Sequence, residues 1–162
     1  MNTWINIFRW IHILAGGAWL GEVITVSFVL IPLTLKFTHT ERSLFIANVY
    51  PRIFRLASVL SLTTILAGGV LSYLLTGWQD LTIFFASPRW LPITVGGILG
   101  LLLTMFHFFA ESRLESSVIA LAKSPDPVET ETITRYLRII PRAGLAILIA
   151  IFLLMMLGAR GF

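Results

Sequence analysis

Three ionisable side chains stand inside apolar stretches of this sequence: His12 and Glu22 in "RWIHILAGGAWLGE" and His107 in "GGILGLLLTMFHFFAESR". An ionisable group at membrane depth is costly, so each is a functional candidate by default. At 100° per residue, Ala15, Gly16 and Trp19 fall within about 60° of the His12 direction on a helix. Counting back from His107, Leu103, Gly100 and Gly96 fall within about 40° of it. Each histidine therefore shares a helix face with small residues. An imidazole beside a shallow groove suits a flat macrocycle such as haem, which needs an iron ligand and no bulk where the ring lies. Glycines also let membrane helices approach one another, which is the competing explanation of both faces. Glu22 lies about 80° from His12 on the same helix and is a candidate proton relay or interhelical hydrogen-bonding group.

The elements that must position these groups follow from composition. Of 162 residues, 57% are apolar and 12% charged, against roughly half and about a quarter in soluble domains. Mean hydropathy is +0.89. The expected fold is an all-α integral membrane bundle of four helices, forming one domain over residues 1–162, with spans at about 10–35, 53–75, 91–110 and 143–157. The last is short, and the basic stretch "TRYLRIIPR" is expected to supply its first turns, with Pro141 kinking it. "FTHTERS" and "KSPDPVETET" read as solvated connectors, the second running into the start of the fourth helix. "AGGA" is followed by further apolar sequence, so the first span is expected to be retained rather than cleaved.

Basic residues set the expected orientation. Lys36, Arg42, Arg52, Arg55, Arg113, Lys123, Arg135, Arg138 and Arg142 gather at the two connectors, against Arg9, Arg89 and Arg160 at the other end. The positive-inside rule then puts both connectors in the cytoplasm and both termini outside, in a prokaryotic-type inner or plasma membrane. The net charge of +4 is thus explained by topology and lipid headgroups, and no nucleic acid is expected. The absence of cysteine excludes disulfides, thiolate metal sites and covalently attached haem. No nucleophile elbow, phosphate loop or HExxH motif is present.

His12 sits near the start of its span and His107 about sixteen residues into its own, which puts them on the order of 20 Å apart along the membrane normal. They cannot ligate one iron, so they mark two sites and one or two b-type haems. Met155 and Met156 lie at the depth of His12 and are candidate second ligands; His39 is the free histidine on the other side. Arg55 and Arg142, with Arg52, are placed to pair with haem propionates.

The segments "WIHILAGGAWLGEV", "YPRIFRLASVLSLTTILAGGVLSYL", "RWLPITVGGILGLLLTMFHFFAESRL" and "RYLRIIPRAGLAILIAIFLLMM" together resemble the CopD-like and HemJ-like membrane families. The likeness is carried by His12, Trp19 and Gly21, by Trp90 and His107, and by Arg135 and Pro141. Arg138 and Ile139 replace the Asn-Glu that HemJ proteins place before the proline, and Thr94 stands near an expected lysine. The resemblance implies a four-helix membrane haem protein, acting as an oxidoreductase or electron carrier with a quinone, a porphyrin-like substrate or a redox partner protein. Copper transport or resistance is the alternative it implies. A structural subunit of a membrane complex is the remaining reading of the sequence.

Overall fold

A computed structural model describes residues 3–124 and 126–160; Pro125, in the second connector, lies outside the described residues. Among these the chain forms four helices long and apolar enough to cross a membrane: Thr3–Thr34, His39–Thr76, Trp90–Ala120 and Pro127–Arg160. No strand occurs among the described residues. The bundle is the expected all-α architecture. The helices run longer than the apolar stretches because apolarity marks only what lipid covers, while hydrogen bonding continues to the next cap.

The first connector shows this best. "FTHTERS" is expected to be a loop, yet Thr38 is an N-cap and His39 opens the second helix. The Glu41 carboxylate accepts from the Thr38 backbone N–H at 3.0 Å, and the Glu41 N–H approaches the Thr38 hydroxyl at 3.5 Å. This capping box satisfies donors that a helix start leaves bare. At the other end the helix stops at Gly77, whose φ of +63° closes the last turn. The fourth helix opens with Asp126 accepting from the Val128 N–H at 2.8 Å and Pro127 at its first position, where a missing N–H costs nothing.

The first helix is not uniform. Residues Val26–Leu30 are wound as a π-helix, and the Ile31 N–H reaches back five residues to the Val26 carbonyl. Pro32 is the cause: it has no N–H for the Phe28 carbonyl, and its ring crowds that carbonyl. Pro51 and Pro141 are similarly internal to the second and fourth helices.

The first helix packs along the second, the third along the fourth, and the second against the third; the first and fourth meet less extensively. Two cores result. One, at the end carrying the basic connectors, gathers Val26, Ile46, Tyr50, Val118 and Leu137; the other, nearer mid-bundle, is built on Trp19, Leu103, Leu148 and Ile151. At the basic end the Ser43 and Thr130 hydroxyls meet at 2.7 Å in a buried contact, and Arg42 pairs with Glu131 at 3.1 Å. Outward the bundle shows a continuous apolar surface, including Leu14, Phe28, Leu66, Met105 and Leu153, which is what lipid contact requires. Trp4, Trp10, Tyr73 and Trp78 are exposed toward the opposite, terminal end, as in an interfacial aromatic belt. There the connector after Gly77 is pinned by Asp80, whose carboxylate accepts from the Thr82 hydroxyl and N–H at 2.7 and 2.9 Å. Those two bonds hold Asp80 below the usual carboxylate range.

Candidate functional site

Both buried-face histidines reach the second helix, by one device used twice. His12 Nδ1 lies 2.8 Å from the Thr64 carbonyl, and His107 Nε2 lies 3.3 Å from the Phe54 carbonyl. A helical carbonyl is already bonded to the N–H four residues on, so a second donor reaches it only past a small side chain there. Those residues are Gly68 and Ser58. A Cβ at position 68 would stand 2.9 Å from His12 Cε1 and 3.0 Å from Nδ1. Glycine is therefore required for the ring to sit where it does. The two carbonyls are ten residues apart, or about 15 Å along the axis. The histidines occupy two separate sites, closer in depth than their sequence positions imply.

The bonds fix the tautomers. A carbonyl only accepts, so Nδ1 of His12 carries a proton, and in the neutral ring Nε2 is left with its lone pair. Nε2 has no hydrogen-bond partner among the described residues. An imidazole oriented through Nδ1–H to a backbone carbonyl, with Nε2 bare, is the usual state of a metal-ligating histidine. His12 thus fits an iron ligand.

His107 is set the other way round. Its Nε2 faces the Phe54 carbonyl and, at 3.0 Å, the Ser58 hydroxyl. Ser58 in turn donates to Glu111 Oε2 at 2.5 Å. With that hydroxyl proton spent on Glu111, Ser58 accepts from Nε2–H. Glu111 Oε2 stands 3.7 Å from the ring nitrogen. Nε2 therefore carries a proton and is committed to the second helix, so in the neutral ring the lone pair of His107 is on Nδ1 and not, as in His12, on Nε2.

The small-residue face leading to His107 is filled as well. The Gly96 face takes the Met155 methyl and Leu154 from the fourth helix, and the Gly100 face takes Ile65 and Ile151. These glycines serve close helix packing. Gly16 lies against Thr64 and Phe152, at ordinary contact distance.

The remaining candidates separate. Met155 packs against the mid-bundle core with its methyl at Gly96, and Met156 is about half exposed. His39 is exposed in the first turn of the second helix, where only its carbonyl is engaged, by Ser43. Arg55 and Arg142 are exposed, and Arg52 bonds the Asn48 carbonyl of its own helix at 3.0 Å. No three His, Asp or Glu side chains gather as a metal cage among the described residues.

Glu22 occupies a different place from His12. It lines a cavity of about 90 Å³ between the four helices, together with His107 and Glu111. Its Oε2 is buried without a hydrogen-bond partner. Apart from Tyr50 the rest of the lining is apolar and includes Trp19, Phe54, Leu103 and Leu148. The cavity is roomy enough to admit water beside these polar groups.

No family model, curated protein or solved structure matches this chain.

Proposed function

We propose that the protein is a membrane-spanning redox protein holding one b-type haem, with His12 as an axial ligand at the terminal end of the bundle. The observation that carries this is the hydrogen bond from His12 Nδ1–H to the Thr64 carbonyl, which presents Nε2 as a lone pair. The haem, when bound, supplies one-electron chemistry. The chain supplies the rest: Thr64 fixes the tautomer and Gly68 gives the ring its seat. Quinone or a redox partner protein is the electron-exchange partner of the proposal, with both basic connectors cytoplasmic. His107 takes a different part, holding a proton rather than a metal.

The reading is tested on protein purified from a haem-replete host. A Soret band is expected in wild type, and its loss in His12→Ala. A protein purified without any Soret band, or a band indifferent to His12, would sink it. Metal analysis showing stoichiometric copper and no iron would favour the copper alternative instead.

A further inference from the structure

We infer that the cavity between the four helices is a water-filled proton inlet. In it the His107–Ser58–Glu111 chain exchanges protons with Glu22 by way of waters. This does not rest on a haem at His12.

Three observations carry it. First, the hydrogen bonds run in one sense: His107 Nε2–H to Ser58 Oγ, and Ser58 O–H to Glu111 Oε2. When the ring carries a second proton on Nδ1, a concerted shift moves Nε2–H to Ser58 and the hydroxyl proton to Glu111. The imidazolium becomes neutral imidazole, the carboxylate becomes a carboxylic acid, and Ser58 is unchanged. The reverse shift returns the proton, and no electrons move. Second, the cavity separates this chain from Glu22 Oε2, a buried oxygen with no partner. Such an oxygen is expensive in apolar surroundings and is commonly satisfied by water. Third, the lining is confined in charge. Glu22 comes from the first helix, Tyr50 from the second and His107 with Glu111 from the third, while the fourth contributes only apolar residues such as Leu137, Ile140 and Pro141. Arginines 55 and 142 are exposed and do not line it. Protons that enter have these groups to rest on and no fixed cation to repel them.

Two measurements test the inlet on the full chain in lipid vesicles. Infrared spectra recorded across a switch from H2O to D2O, and across a pH titration, read the carboxyl groups directly. A carboxyl band absent in Glu22→Gln is expected to shift in D2O within seconds, and its midpoint to move by at least about 0.3 pH unit in His107→Asn. A Glu22 band that fails to exchange in minutes, or a midpoint indifferent to His107, overturns the proposal. Water access to the cavity is read with single cysteines, which this cysteine-free chain allows. Ala110→Cys and Ala57→Cys line the cavity, and Leu66→Cys faces outward. A membrane-impermeant thiol reagent is expected to label at least one cavity cysteine at least tenfold faster than Leu66→Cys. Equal rates contradict it.

Discussion

At the scale of the residue, His12 and His107 look alike in sequence and differ in what they offer. Both are legible as polar residues in apolar runs beside glycines. Their difference lies in which nitrogen meets the second helix, and that depends on residues of another helix that no pattern around the histidine contains. Gly68 is the clearest case, since "LAGG" reads as ordinary helix-packing sequence until the His12 ring is placed against it. Glu111 sits one turn after His107, but it reads as the charged end of a span, and Ser58 as a small residue of the second helix. Gly68→Ala is expected to push the ring from the Thr64 carbonyl, because a Cβ there would stand 2.9 Å from Cε1. Overpacking of this kind costs about 1–3 kcal/mol. Reversible unfolding in mixed micelles should show that loss, with weakened haem retention. Gly69→Ala, which meets nothing within 4 Å, should show neither.

At the scale of the element, four helices follow from four apolar runs, and their ends do not. The signature Thr-x-x-Glu at Thr38–Glu41 is a readable helix start, but its polar residues argue for a loop when only hydropathy is weighed. Thr38→Ala removes the cap and is expected to lower stability by about 0.5–2 kcal/mol, with Thr38→Ser restoring most of it; unfolding midpoints of the three proteins decide. The π segment at Val26–Leu30 was equally hidden. Pro32 announces a disturbance of the first helix, but whether the helix kinks, ends or absorbs one extra residue is settled by packing. Here it absorbs one, and Val26 and Ser27, both inside the π segment, remain buried.

At the scale of the whole molecule, the arrangement separates two chemistries by depth. His12 stands toward the terminal end, and the cavity with Glu22, His107 and Glu111 lies toward the basic connectors. If the orientation follows the basic residues, the cavity lies toward the cytoplasmic face and the proposed iron site toward the outer face. Gln79→Cys and Lys123→Cys, in connectors at opposite ends, should then label from outside and inside respectively in intact cells; the reverse pattern inverts the topology while leaving the sites in place. The apolar composition made the bundle legible, whereas the inner cavity was not, because it is formed by side chains from all four helices and by no contiguous motif. The division of labour between the two histidines is the central claim, and the haem-to-protein ratio tests it most directly. The account predicts a ratio of one, retained in His107→Ala and lost in His12→Ala. A ratio of two, or loss of haem on replacing His107, would contradict it.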